Sequence, residues 1–220
     1  MKILVIDTET TGLPKNRTSI YNTDNWPYII QLSFILFDTN NLNIIYNFNE
    51  YIKISENINI SEDSVKIHKI TKNKINSCGI DIKYALNSLN FILKITDLII
   101  GHNISFDKQI LMVEFIRNNI LSNLSNQKYF CTMRNYTNFC KIKKSTSTSQ
   151  YKYPKLSELY ETIFISTPED LHNSYNDILI CLRCYYYIEY HNDLLIISDD
   201  FINEYIKYFK KSLHLLSIYN

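Results

Sequence analysis

The chain opens on a continuous apolar run, Ile3 to Ile6, that stops at Asp7. Unbroken runs of this kind suit a strand buried on both faces of a sheet. Tyr28 to Phe37 is a second, longer run of the same type. Asn43 to Ile54 alternates loosely, and the Asp38-Thr39-Asn40-Asn41 turn makes it an antiparallel partner of the second strand. Leu98 to Ile100, closed by Gly101, and Tyr129 to Cys131 read as further short strands. Helical spacing covers Ser61 to Ile67 with Ser61 as its cap, then Ile80 to Leu93, Ile104 to Ile120, Leu156 to Phe164, Tyr175 to Tyr190 and Phe201 to Leu216. Lys141 to Lys152 is polar, rich in Ser, Thr and Lys, and reads as a loop. Strands first and βα alternation afterwards predict an α/β fold, a sheet with helices on both faces.

Composition narrows this picture. With 220 residues, 45% of them hydrophobic, the chain can bury the core of one domain. Three glycines and four prolines exclude collagenous and linker-like classes. A net charge of +1 excludes a global basic field, so any affinity for nucleic acid is local or bridged by metal ions. Five cysteines, Cys78, Cys131, Cys140, Cys181 and Cys184, do not make a secreted disulfide framework. No apolar run reaches the ~18 residues of a membrane span, and the start lacks a secretory signal, so a soluble intracellular protein is expected.

The chemistry begins at Asp7-Thr8-Glu9-Thr10-Thr11-Gly12. Side chains alternate along a strand, so Asp7 and Glu9 share one side at the carboxyl end, where open α/β sheets bind ligands. Paired carboxylates repel, and a cation relieves that; hard oxygen donors suit Mg²⁺ or Mn²⁺. A surface acid pair is the plainer alternative. In Gly101-His102-Asn103-Ile104-Ser105-Phe106-Asp107 the last residue falls in a first helical turn, where the dipole also tolerates an anion. In His172-Asn173-Ser174-Tyr175-Asn176-Asp177, Ser174 and Asp177 have the spacing of a capping box. Five helical steps turn about 500°. His172 and Asp177 therefore do not share a helix face, and His172 belongs to the loop before the helix.

Together these segments resemble the DEDDh 3′–5′ exonucleases, the DnaQ-like group with an RNase H-like core. Asp7 and Glu9 match the first motif of that family, Asp107 the second, His172 and Asp177 the third. Ile30-Gln31-Leu32, Ile67-His68-Lys69-Ile70-Thr71 (with Lys69 where the family has glycine), Thr132-Met133 and Leu156-Ser157-Glu158-Leu159 are weaker echoes. The likeness covers residues 1–190, taken as the exonuclease domain, with 191–220 as a C-terminal helical extension. Ser174 departs from the usual alanine. A sister group carries a catalytic tyrosine four residues before the last aspartate; that position is Asn173 here, so Tyr175 is read as packing or as a solvent-facing ring.

The resemblance implies a mixed five-stranded sheet and a catalytic set of Asp7, Glu9, Asp107, His172 and Asp177. It implies two divalent ions, Mg²⁺ or Mn²⁺, the first on Asp7, Glu9 and Asp177, the second on Asp7 with help from Asp107. His172 would be the general base, a role suited to a group titrating near neutrality. Thr10 and Gly12 would approach the terminal sugar, Leu13 would wedge against the last base, Phe106 would stack, and His68 and Asn103 would line the groove. Arg17 is a phosphate contact or a solvated loop charge. The expected partners are 3′ ends of single-stranded DNA or RNA and no membrane. Two other readings stay open: a catalytically silent nucleic-acid-binding domain, and a proofreading subunit working with a polymerase. The C-terminal helix either covers the sheet or forms a homodimer contact. Cys181 and Cys184 lie within a helix and read as packing rather than a zinc site. Lys141, Lys143, Lys144, Lys152 and Lys155 form a basic cluster, read as a solvated loop or as a guide for a strand.

Overall fold

A computed structural model describes residues 1–15, 18–144, 147–168 and 170–209. Arg17 and the predicted helical residues beyond 209 lie outside these. The central strand β1 (Lys2–Thr10) pairs antiparallel with β2 (Ile29–Asp38) and parallel with β4 (Leu98–Gly101). β3 (Asn43–Tyr51) and β5 (Tyr129–Cys131) complete a mixed sheet of five strands in the order β3-β2-β1-β4-β5. The register sets Ile3 against Phe37, Val5 against Ile35, Asp7 against Ser33 and Glu9 against Gln31, so one face runs from apolar to acidic along β1.

Each face buries its own layer of helices. Leu4, Ile6, Phe34 and Leu36 pack against α3 (Ile82–Leu93) and α4 (Ile104–Arg117). Ile3, Val5, Ile35 and Phe37 pack against α7 (Leu156–Phe164) and α8 (Ser174–Tyr190). Helix α8 is buried along most of its length, which explains its apolar sequence all round. Cys181 and Cys184 are buried free thiols within it, in keeping with packing. Buried Arg183 pairs with Asp193 at 2.7 Å and lies 3.8 Å from the Phe164 ring, joining α7 to the chain beyond α8.

Several expected elements differ in detail. The polar stretch read as a loop contains a hairpin, β6 (Lys143–Lys144) and β7 (Ser147–Tyr151), extended by Lys152 N–H donating to the Ile142 carbonyl at 2.8 Å. A hairpin closes on backbone hydrogen bonds, which hydropathy does not report. Between α1 (Glu62–His68) and α3 lies an unexpected α2 (Lys72–Cys78), capped by Thr71 and anchored by the buried Ile75. Short helices α5 (Thr132–Asn135), α6 (Thr137–Cys140) and α9 (Leu194–Ile197) were also unexpected. α4 ends at Arg117 rather than Ile120, because Asn119 turns left-handed at φ 54°. The cap of α8 is Asn173, not Ser174: its side chain accepts from the Tyr175 and Asn176 amides. Ser174 is fully buried, and its hydroxyl meets Ser33 Oγ at 2.6 Å. A hydroxyl there needs that partner, and Ser33 supplies it.

The last described helix, α10 (Asp199–Tyr208), starts from Ser198, whose hydroxyl accepts from the Phe201 amide. Leu194, Phe201, Tyr205 and Phe209 belong to the same apolar cluster as Ile3 and Val5, and α10 packs on α9 and β3, so residues 191–209 cover the β3 side of the sheet. Tyr175 is buried, and its hydroxyl donates to Glu204 Oε1 at 2.6 Å, tying α8 to α10. Among the described residues no helix is long and apolar enough to cross a membrane.

Two stability predictions follow from packing and backbone. Phe201→Ala should cost about 3–5 kcal/mol in urea unfolding, as for any fully buried phenylalanine; a cost below about 1 kcal/mol would detach α10 from the core. Lys69 closes α1 in the left-handed region at φ 60°, the position where the resembling family carries glycine. Lys69→Gly should therefore stabilise the protein by roughly 1 kcal/mol in the same assay.

Candidate active site

The carboxyl edge of β1 collects the acids. Pairing between β1 and β2 shifts register between Glu9 and Thr10, a bulge of the kind that re-aims side chains beside active sites. Gly101 lets the end of β4 close on β1: a Cβ there would stand 2.7 Å from Ile104 Cδ1 and 3.1 Å from the Ile6 carbonyl. Asn103 then turns left-handed at φ 68° and launches α4 beneath the strand end. Asp107, buried in the first turn, accepts from Thr8 N–H at 3.1 Å and Thr8 Oγ1 at 2.8 Å. Thr8 points away from Asp7 and Glu9 by the strand's alternation, toward the α4 layer.

On the opposite face, α8 delivers Asp177. One carboxylate oxygen from each of Asp7, Glu9 and Asp177 lies within 4.8 Å of the others. Asp107 is not in that trio, but its charge reaches Asp7, Glu9 and Asp177. Burial first, then the neighbouring acids, pushes Asp7 well above the ordinary carboxylate range. Burial and then Asp177 and Asp107 raise Glu9 to about 8. Asp177 rises to about 7 through burial, with its His172 hydrogen bond opposing. Asp107 also rises to about 7 through burial, with the Thr8 hydrogen bonds opposing. Several carboxylates that resist ionising together, with oxygen donors converging, fit a hard divalent cation.

His172 stands on the segment before α8, exposed, with left-handed backbone at φ 70°. Its N–H donates to Asp177 Oδ1 at 3.3 Å, so the loop is latched to the acid it overlooks. Asp7, Asp177 and His172 border a hollow of about 500 Å³ that also includes His102, Tyr153 and Lys155. A second hollow of about 430 Å³ is bordered by Glu9, Thr10, Gly12, Leu13, His68 and Phe106. Leu13 is 84% exposed there, free to meet a ligand. His68 accepts the Ile70 amide at Nδ1, 3.0 Å, and burial lowers its proton affinity. Asn103 lines neither hollow; its Oδ1 accepts from Ser105 Oγ at 3.2 Å.

Thr8, Asn173 and His102 were not among the residues singled out from sequence for the site. Thr8 was accessible to strand alternation, which sets it opposite Asp7. Asn173 was accessible as an Asx residue before a helix. His102 depends on distant partners: its Nε2 is 3.0 Å from the Pro154 carbonyl and its Nδ1 3.0 Å from Thr132 Oγ1. A carbonyl only accepts, so Nε2 carries the proton and Nδ1 accepts from the threonine. Burial lowers His102 to about 4, in keeping with this neutral form.

The chain is thus a mixed five-stranded α/β sheet with acids gathered at the end of its first strand. The exonuclease family model named for RNase T matches residues 4–185, and the chain belongs to that family. Solved structures share the fold at low identity. Exonuclease I of E. coli in complex with a dA16 oligonucleotide superimposes with a TM-score of 0.65 and 16% identity over 85% of this chain and 41% of that one. The nuclease domain of 3′hExo, a DEDDh family member bound to rAMP, gives 0.64 and 16% over 88% and 94%. A 3′-exonuclease that recognises a histone mRNA stem-loop gives 0.61 and 16% over 84% and 62%. The chain thus spans about 41% of the length of Exonuclease I. No curated protein matches it in sequence.

The raised acids set a pH dependence. Unfolded carboxyls titrate near about 4, while folded Glu9 titrates at about 8 and Asp107 and Asp177 at about 7. In that window the metal-free folded state binds more protons than the unfolded state, so stability falls as pH rises. Melting of the EDTA-treated protein should drop between about pH 5 and about pH 8.5. Mn²⁺ should restore at least about 5 °C at the higher pH and less at the lower, and equal Mn²⁺ effects at both would contradict this electrostatic picture.

Proposed function

We propose that the chain is a metal-dependent 3′–5′ exonuclease that hydrolyses phosphodiester bonds of single-stranded nucleic acid and releases nucleoside 5′-monophosphates. The observation that carries this reading is the trio Asp7, Glu9 and Asp177, converging within 4.8 Å beside His172. Asp7, Glu9 and Asp177 would hold one Mg²⁺ or Mn²⁺, and Asp7 with Asp107 a second. Bound there, such ions supply charge neutralisation at the phosphate and a more acidic attacking water.

The chain's own groups do the rest. Thr8 keeps Asp107 fixed and buried through two hydrogen bonds. Asn173 caps α8 and so aims Asp177 at the strand end. A ring nitrogen of His172 takes the proton from the attacking water, whose oxygen bonds to phosphorus as the phosphorus–O3′ bond breaks. The 3′-oxygen leaves with a proton from solvent. Thr10, Gly12, Leu13, His68 and Phe106 border a hollow suited to the terminal sugar and base, Leu13 as wedge and Phe106 as stacking surface. Asn103 would contribute at the helix entrance from outside that hollow. The related folds named above include one bound to a DNA oligonucleotide and one bound to rAMP, which supports a polynucleotide 3′ end as substrate.

A 5′-labelled single strand incubated with Mg²⁺ or Mn²⁺ should yield a ladder shortening from its 3′ end. Asp7→Ala should abolish the ladder. His172→Asn should slow it by roughly 10²–10⁴-fold, with melting unchanged because asparagine tolerates the left-handed backbone. A ladder unaltered by either substitution refutes the assignment. Matched DNA and RNA oligomers give the sugar preference.

A further inference from the structure

Charge is distributed unevenly along the chain. Residues 115–157 contain eight of the 23 cations and none of the 22 acids. The fold places the last part of this acid-free stretch at the catalytic edge. Tyr153 and Lys155 border the hollow that holds Asp7, His172 and Asp177. From that rim the chain runs back into the β6–β7 hairpin, which carries Lys143 and Lys144, with Lys141 just before it at the end of α6, all exposed.

The base of the hairpin is anchored. Lys152 forms an ion pair with Glu158 of α7. The Lys155 amide donates to Glu158 Oε2 at 2.8 Å. The Pro154 carbonyl is bonded to His102, one residue from the end of β4. Lys152 is thereby spent on internal pairing, while Lys141, Lys143 and Lys155 make no ion pair among the described residues. Two rings interleave with these cations and stay accessible, Tyr151 at 39% and Tyr153 at 58% exposed. A line of lysines with exposed rings between them matches a single-stranded polynucleotide, whose phosphates are evenly spaced and whose bases stack without regard to sequence.

We propose that this hairpin and its rim form a second binding surface, for the single-stranded nucleic acid 5′ of the bond to be cut. The inference rests on the exonuclease reading for its direction, and the surface itself rests on charge and geometry. Lys141, Lys143, Lys144 and Lys155 grip the phosphodiester backbone; Tyr151 and Tyr153 stack on bases. The chain, near neutrality overall, thus holds a polyanion on a local cationic track leading to the acids. The grip gives longer strands an advantage over dinucleotides and makes binding salt-sensitive.

The test compares the parent protein with Lys143→Gln/Lys144→Gln and with Lys143→Arg/Lys144→Arg. Binding of a fluorescent single strand of about twenty nucleotides is read by anisotropy in EDTA across a salt series. The Gln variant should weaken binding at least about tenfold and reduce the slope of log affinity against log salt by roughly 1.4, two phosphate contacts' worth. The Arg variant should match the parent. The ratio of kcat/KM on the long strand to that on a dinucleotide should fall about tenfold in the Gln variant and recover in the Arg variant. Equal affinity, slope and ratio in all three proteins overturn the proposal, as does equal competition by polyglutamate. If the parent cleaves neither substrate, the exonuclease reading fails while the anisotropy series still decides the surface.

Discussion

The fold is organised around an electrostatic conflict. Asp7 and Glu9 stand side by side at the end of a strand whose earlier residues are fully buried, and Asp107 and Asp177 approach from the two helix layers. Among the described residues no cationic side chain offsets their charge, and burial lifts all four above the ordinary carboxylate range. Such a cluster is unstable by itself and becomes favourable when a cation shares its oxygens. The sheet register, the Gly101 approach and the capping of α8 all serve to hold these repelling groups together.

The two faces of β1 divide the work. The face of Ile3 and Val5 ends in Asp7 and Glu9 and is met by Asp177 of α8. The face of Leu4 and Ile6 ends in Thr8 and is met by Asp107 of α4. The site is thus built across a single strand end, at the border of two hollows, and each contributing helix is fixed by its own apolar layer. The buried Ser33–Ser174 pair shows how tightly α8 sits: its first turn touches β2 directly.

Much of this was legible in the sequence because it depends on local periodicity. Alternation sets Asp7 and Glu9 together, and the helical turn angle excludes His172 from the face of Asp177. The five strands follow from apolar runs, with ends shifted by a few residues. Features that depend on remote partners were not legible. Ser174 carries the spacing of a cap, yet its hydroxyl is claimed by Ser33, and Asn173 caps instead. The hairpin has no apolar pattern to announce it. The burial of Phe201 and Tyr205 cannot be read from their own helix, since the surfaces that α10 meets come from remote segments, α9, β3 and Tyr160 of α7. Lys69 likewise closes α1 with left-handed backbone, a conformation its side chain does not announce.

The His102 link to Pro154 has a mechanical meaning. One imidazole joins the floor of the cleft to the root of the hairpin, so the side chain that borders the acids also holds the segment that carries Tyr153 and Lys155. A change at His102 would therefore disturb the acidic edge and the hairpin base together.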